Sequence, residues 1–300
     1  MDKKPLKSPH IKEKMSPMTV IICVVLIVYF ISLLIPVIWA TYSAFNDKAA
    51  YNAFYVFGKD FPTKLTFDNF VTAFTKFKLT AYTTGVKYDF LEMIGHSILY
   101  TLGCAFFFTL TPCLVAYCAA RFKFKFSKVI YAFVIITMSL PIVGAMPSEL
   151  RMLKTLHLFD TFFGLFVLRM NFLSINFLIF YAQFQMIPMT YSEAAKVDGA
   201  SNFRIMTTVI FPQAIPTMTT LFLLSFITFW NDYQIPRVYL PSYPTLAEGL
   251  FTFSITGERA INYIPIKLAG LIGLTMPIVI VFALLNRYLK LNVAAGGIKG

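Results

Sequence analysis

Charge is what this sequence of 300 residues has least of. Asp, Glu, Lys and Arg make up 13% of it, against roughly a quarter of a typical soluble chain. Too few ionic groups remain to coat a water-facing surface, which argues against an ordinary soluble enzyme. A hydrophobic content of 58% excludes a disordered chain. Acids are the scarcer sign, 14 against 26 bases, for a net charge of +12. That excess does not point to nucleic acid, because the bases are spread along the segments between apolar runs. Histidine occurs three times, as His10, His96 and His157, in no Ser–His–carboxylate or metal-ligand spacing. No glycine-rich phosphate loop is present, so ATP is not expected to bind this chain. Cys23, Cys104, Cys113 and Cys118 fit no zinc or redox motif and read as packing residues inside apolar stretches. No catalytic cluster and no metal site is expected.

The scarce charge is also unevenly placed. Six windows hold no Asp, Glu, Lys or Arg: Met15–Asn46, Met93–Ala120, Val129–Ser148, Met170–Ser192, Ile205–Asn231 and Leu268–Asn286. A membrane-spanning helix needs roughly 20 mostly apolar residues. The expectation is therefore an all-α polytopic protein of the cell membrane, with six spans near 18–40, 93–118, 128–148, 166–187, 213–235 and 266–288. The first window exceeds the roughly 7–15 apolar residues of a cleaved signal, so it reads as a retained span. Lys3, Lys4, Lys7, Lys12 and Lys14 precede it, and Arg121, Lys123, Lys125 and Lys128 crowd the next inner loop. Basic residues at short-loop span ends mark the cytoplasmic side, so both termini are expected there. The division is a tail at 1–17, a six-helix domain at 18–288 with outer loops 47–90 and 236–264, and a second tail at 289–300. Pro36, Pro112, Pro141 and Pro277 fall inside spans and are expected to kink them.

In the first outer loop, Phe67, Phe70, Val71 and Phe74 follow helical spacing behind Thr66 or Asp68. This predicts a short helix, lying at the outer surface or packed on the bundle. The inner loop 188–212 is more specific. Thr190 and Glu193 have capping-box spacing, Ala194, Ala195 and Lys196 favour helix, and Gly199 can end it in a left-handed turn. Ser201 can cap a second helix that runs until Pro212 stops it. The result is a capped elbow of two helices, flattened at Ala194 and Ala195, shaped to enter a partner's cleft.

The string Glu193-Ala194-Ala195-Lys196-Val197-Asp198-Gly199-Ala200-Ser201, followed by Ile210-Phe211-Pro212, resembles the EAA loop of ABC importer permeases, in its carbohydrate variant. Leu65–Phe70, Trp230-Asn231-Asp232-Tyr233 and the ending Asn286–Gly300 resemble further stretches of the smaller permease of maltose-type importers. The resemblance implies a type I ABC importer fold and one half of an ATP-driven sugar or oligosaccharide importer. Its implied partners are a second, non-identical permease, two cytoplasmic ABC ATPases that hold ATP and Mg, an extracellular or periplasmic sugar-binding protein, and membrane lipid. On this resemblance Glu193, Ala194, Ala195, Asp198, Gly199 and Ala200 couple to the ATPase. Glu193 has a second role open to it as the capping partner of Thr190. Gly296, Gly297 and Lys299 would reach between the ATPases, or simply fray. Loop 236–264 would meet the binding protein.

Sugars are held by stacking and by amide or carboxylate hydrogen bonds. Asn171, Asn176, Gln183, Trp230, Asn231 and Asp232 are the candidates for the pathway, although such residues also bond neighbouring helices. A permease for another solute stays open as an alternative. A stand-alone ion-coupled carrier is less favoured, because Asp232, near the outer end of the fifth span, is the one carboxylate candidate within the spans.

Overall fold

The computed structural model describes residues 16–55, 58, 64–122, 124–140, 144–256 and 263–296. Helix α1 (Pro17–Ala44) is followed by α2 (Lys48–Tyr55), α3 (Asp68–Lys76) and a hairpin of β1 (Leu79–Thr80) and β2 (Lys87–Tyr88), paired antiparallel. Then come α4 (Phe90–Arg121), α5 (Ser127–Ser139), α6 (Ala145–Thr155), α7 (Phe162–Arg169) and α8 (Ile175–Met186). The second half holds α9 (Thr190–Val197), α10 (Asn202–Ile205), a π-helical stretch Met206–Ile210 and α11 (Phe211–Trp230). It closes with α12 (Gln234–Tyr239), α13 (Leu246–Thr256) and α14 (Ile264–Gly296).

Helix α4 is the axis of the bundle. It packs along α8 and α11, and α11 in turn packs on α14. Its start is fixed locally: the Glu92 carboxylate accepts the Asp89 backbone N–H at 2.8 Å, an N-terminal donor that would otherwise be orphaned. A smaller core of Ala44, Tyr51, Ala73, Tyr263, Ile266 and Ala269 joins the end of α1 to α2, α3 and α14, and two larger cores fill the bundle. One gathers Tyr100, Leu153, Phe226, Phe229 and Trp230 toward the end with the α12–α13 loop. The other gathers Tyr117, Phe177, Phe180, Phe184 and Ile210 toward the end with α9. Helix α1 touches α14, and its apolar side chains are otherwise exposed. In a membrane those side chains meet lipid.

Among the described residues four helical stretches are long and apolar enough to cross a bilayer: Pro17–Ala44, Phe90–Arg121, Asn202–Trp230 and Ile264–Leu285. They correspond to the first, second, fifth and sixth charge-free windows. The third and fourth windows are built from shorter pieces. The helix expected over 128–148 ends at Ser139, and Leu140 turns extended (φ −86°, ψ 125°). Proline at position 141 disfavours helix in the residue before it. Chain direction resets at Gly144, where φ is +78°. The helix expected over 166–187 is split between α7 and α8. Asn171 Oδ1 accepts the Leu173 N–H at 2.8 Å and Ser174 is extended before α8, the local bonding by which Asn and Ser compete with a helix.

Helix α3 forms where the spacing predicts, but with a different inner face. Phe67 and Val71 are exposed, while Asn69 and Ala73 are buried. Asn69 Nδ2 donates to the carbonyls of Ala44 and Asn46, both at 2.8 Å. The helix is thus tied to the end of α1 and packed on α14.

Candidate functional site

The elbow between α8 and α11 is built by local chemistry. Its first helix does not start with the expected capping box. Met189 is already helical, and the N–H groups of Ser192 and Glu193 both reach its carbonyl, at 2.9 and 3.1 Å. Thr190 is therefore the first helical residue, and Glu193 has no box partner. No hydrogen bond or ion pair holds the exposed Glu193 carboxylate among the described residues.

The other end matches the spacing. Gly199 has φ +79°. Its N–H bonds the Lys196 carbonyl at 3.0 Å, and the Ala200 N–H bonds the Ala195 carbonyl at 2.9 Å. These are the two bonds of a Schellman stop. Ala195 and Ala200 lean on the core formed by Tyr117, Phe184, Ile205 and Ile210. Ser201 Oγ accepts the Arg204 N–H at 3.3 Å and caps the next helix.

That next helix does not stop at Pro212. The stretch Asn202–Trp230 is one continuous span. Pro212 lacks an N–H and its ring crowds the carbonyl four residues back. The π-helical stretch Met206–Ile210 widens the turn at that point. The second helix of the elbow is thus the tip of a membrane span, and motion of one is motion of the other.

Two apolar side chains of the elbow are largely exposed, Val197 at 89% and Phe203 at 72%. Glu193, Ala194, Asp198 and Gly199 are exposed as well. Sequence reasoning did not single out Val197 or Phe203 as contact residues, because apolar residues beside spans look like span.

The second candidate region is a cavity of about 560 Å³ between α4, α8 and α11, lined by Phe108, Arg169, Asn176, Thr228, Phe229 and Asp232 among others. Asn176 is buried and donates to the Phe108 carbonyl at 3.4 Å. Phe108 lies four residues before Pro112, so Asn176 answers the carbonyl that the proline leaves free. Asp232 Oδ2 accepts the Tyr100 hydroxyl at 3.0 Å, while Oδ1 accepts the N–H groups of Gln234 and Ile235 at 3.0 and 3.1 Å. It caps α12 and faces the cavity at once. Arg169, absent from the sequence-based set, sits over the Phe229 ring at 5.1 Å.

The other pathway candidates are dispersed. Trp230 is 1% exposed, donates to the Leu274 carbonyl at 2.8 Å and stacks on Phe226. It belongs to the core. Asn231 is exposed and bonds the Ile227 carbonyl. Asn171 makes the turn between α7 and α8. Gln183 Nε2 bonds the Gln213 carbonyl at 3.2 Å, joining α8 to α11. Gly296 ends α14, and Gly297 and Lys299 lie outside the described residues.

Near the far end of α4, His96 Nδ1 meets the Pro244 carbonyl at 3.0 Å, and Ser97 Oγ accepts the Leu246 N–H at 2.8 Å. Beside them Glu248 is buried, and burial pushes its carboxyl up to about 7, with Arg237 acting in the opposite sense. Tyr239 donates to Glu149 at 2.9 Å, and Asp160 accepts from the Ser242 N–H at 3.0 Å. These bonds tie the α5–α7 connections to the last loop.

Residues 112–294 match the model of a family described as the binding-protein-dependent transport system inner membrane component. The chain is 27% identical over 239 residues to the probable starch degradation products transport system permease protein AmyC of Thermoanaerobacterium thermosulfurigenes, covering 79% of this chain and 82% of the relative. It is 26% identical over 249 residues to the melibiose/raffinose/stachyose import permease protein MelC of Bacillus subtilis, covering 80% and 83%. In fold it is similar to a chain in the crystal structure of a bacterial ABC transporter involved in the import of the acidic polysaccharide alginate. The TM-score is 0.73 over 95% of this chain and 99% of that one, at 21% identity.

Proposed function

The chain belongs to the family of inner membrane components of binding-protein-dependent transport systems, and from that premise we propose that it is one half of the translocation pathway of an ATP-driven sugar importer. As a multi-pass permease of an ABC importer it works with an ATPase and a binding protein. The finer reading is ours. The second permease is non-identical, two ATPases sit beneath the pair, and they carry all the ATP and Mg. Helices α5 with α6 and α7 with α8 complete six crossings, and both termini are cytoplasmic. The names of AmyC and MelC support a saccharide cargo.

One observation carries the coupling role. The elbow is anchored by Ala195 and Ala200 and exposes Val197 and Phe203 in the same two-helix segment as a free carboxylate at Glu193. Exposed apolar residues grouped this way mark a protein-binding surface. The occupant is a cleft of the ATPase, with Glu193 facing a basic residue there, and Asp198, Gly199 and Ala200 making the close turn beneath it. Because α10 and α11 are continuous, displacement of the elbow tilts the wall of the cavity at Thr228, Phe229 and Asp232. A nucleotide-driven motion shifts the equilibrium only in so far as it favours one arrangement of that wall. Within the cavity Asn176 and Asp232 offer hydrogen bonds to hydroxyls. Loop 236–264 is the surface for the binding protein, and the tail at Gly296, Gly297 and Lys299 extends toward the ATPases.

Purification of the tagged chain in mild detergent tests the reading. A second permease and an ATPase are expected to co-purify. A homogeneous oligomer of this chain alone, active in uptake without ATP, would overturn it.

A further inference from the structure

Arg121 entered the sequence reading only as a charge that orients the second span. Its surroundings say more. It is the last residue of α4, the bundle's axis, and is 7% exposed. Its guanidinium is spread over two other elements. Nη1 donates to the carbonyls of Ile187 at 2.6 Å and Phe184 at 3.4 Å, at the end of α8. Nη2 donates to the Pro188 carbonyl at 3.4 Å and to Ser192 Oγ, in the first turn of α9, at 2.7 Å. The carbonyls that end a helix lack partners within it, and a cation there is stabilised by the helix dipole.

No carboxylate is paired with Arg121: among the described residues the ion pair formed is Lys78 with Asp89, on the other side of the bundle. A charge withdrawn from water without a counter-ion is costly; here four acceptors answer Nη1 and Nη2, while the buried Nε has no partner among the described residues. From the end of α4 the planar fork answers the end of α8 and the first turn of α9 at once, which the single ammonium of lysine cannot reproduce.

The opposite part of α4 is bound just as specifically. Tyr100 donates to Asp232 at the cavity, and His96 and Ser97 hold Pro244 and Leu246 of the last loop. Tyr100 and Arg121 are separated by 21 residues of one helix, about 30 Å at the usual helical rise. Between them, Asn176 bridges the place where Pro112 frees a carbonyl.

We propose that Arg121 is a positioning residue that locks the elbow helix α9 to α4, so that α4 acts as a lever carrying elbow motion to the Tyr100–Asp232 contact at the cavity and to the last loop. This rests on the reading of α9 as the ATPase contact. It adds a second route beside the covalent one through α10 and α11. Ser192 is its partner in this chain, and the element it biases is the α8–α9 corner.

The test uses the whole importer in proteoliposomes with its four native cysteines replaced. A cysteine at Val197 reports contact with the ATPase by cross-linking. In a separate preparation, a cysteine at Phe108, the α4 residue that lines the cavity, reports the cavity through its rate of labelling by a methanethiosulfonate, with and without ATP and vanadate. The unmutated chain is expected to cross-link and to change its labelling rate at least fivefold on trapping. Arg121→Gln and Arg121→Lys are expected to keep the cross-link and ATP hydrolysis within twofold while the labelling change falls below twofold. Ser192→Ala should fall between, and adding it to Arg121→Lys should change nothing more. A fivefold labelling change retained in Arg121→Gln overturns the lever, as does an unresponsive cavity in the unmutated chain. Parallel loss of cross-link, hydrolysis and labelling change in every variant, Ser192→Ala included, also overturns it, because it marks a merely structural role. Absence of the cross-link in the unmutated chain instead sinks the docking reading on which the proposal stands.

Discussion

Replacement of Gly199 separates two reasons for a glycine at the elbow. The residue has φ +79°, and a Cβ built there meets nothing within 4 Å. Within this chain the cost of a side chain is therefore conformational alone. For an ordinary L-residue a left-handed backbone costs roughly 1–2 kcal/mol, which corresponds to about a 5–30-fold loss in the closed form of the turn. Asparagine and aspartate tolerate this region better. If glycine is needed only for its φ, the order of damage is alanine first, then asparagine and aspartate. If the ATPase covers the turn, the order reverses, because the larger side chains fill space reserved for the partner. We expect the second order. Gly199→Asp and Gly199→Asn should leave the complex assembled by size exclusion, keep ATP hydrolysis and lose most sugar uptake, with Gly199→Ala milder. Uptake and hydrolysis measured together in proteoliposomes decide the matter. Near-normal coupling in the asparagine and aspartate variants, with alanine impaired, would refute the idea that a partner covers this face.

Three further outcomes follow from other parts of the structure. A cysteine introduced at Val197, in a chain where exposed Cys118 is serine, should resist an impermeant maleimide in intact cells and react after permeabilisation; reaction in intact cells would place the elbow outside. Trp230→Phe keeps the ring stack on Phe226 but removes the buried indole bond to the Leu274 carbonyl, a loss of about 0.5–1.5 kcal/mol, so the melting temperature in detergent should fall while uptake persists; an unchanged melting temperature contradicts the assigned bond. Glu248 holds its proton in the folded protein up to about pH 7, above the ordinary 4.5. The folded state therefore binds more protons than the unfolded one between those values, and stability falls as pH rises through that window, by about 3 kcal/mol in all. Glu248→Gln should flatten that fall in thermal melts from pH 5 to 8, and an identical slope in both proteins would rule the burial argument out.

Much of the architecture was legible because the bilayer imposes one blunt requirement. Four of the six charge-free windows coincide with long helices for that reason. The breaks within the other two were not, since Asn171 and Ser174 carry no formal charge and leave no gap in a search for ionic residues. In the elbow, Gly199 and Ser201 behave as their spacing suggests, because a Schellman stop and an N-cap are set by neighbours three to five residues away. The start of α9 was misread for the converse reason: Met189 continues the backbone in helical form, which no side-chain signal announces. The run through Pro212 was hidden because a π-turn can absorb a proline that would end an α-helix. Arg121, Asn176 and Trp230 depend on partners 63 to 71, 68 and 44 residues away, and no local pattern encodes such contacts. The face of α3 turned inward was likewise decided by tertiary bonds to Ala44 and Asn46, not by the spacing of its phenylalanines.

The cavity bears on what kind of transporter this is. A carrier that moves a cation or proton with its cargo needs an intramembrane acid able to lose and regain its partners. Asp232 is poorly suited to that task, since both its oxygens are engaged, one by Tyr100 and the other by the two N–H groups that begin α12. Release of the carboxylate would unmake the cap of α12 and, through Tyr100, the hold of α4 on the cavity. Arg169 lies over the face of Phe229, and its buried Nε has no hydrogen-bond partner among the described residues. On the proposed reading, a mostly apolar wall with a few polar groups at Asn176, Ser225, Thr228 and Asp232 suits a neutral solute that stacks and trades hydrogen bonds without changing the charge of the path. On the reading proposed above, the energy for transport enters from a partner, at the exposed elbow that continuous helix joins to α11.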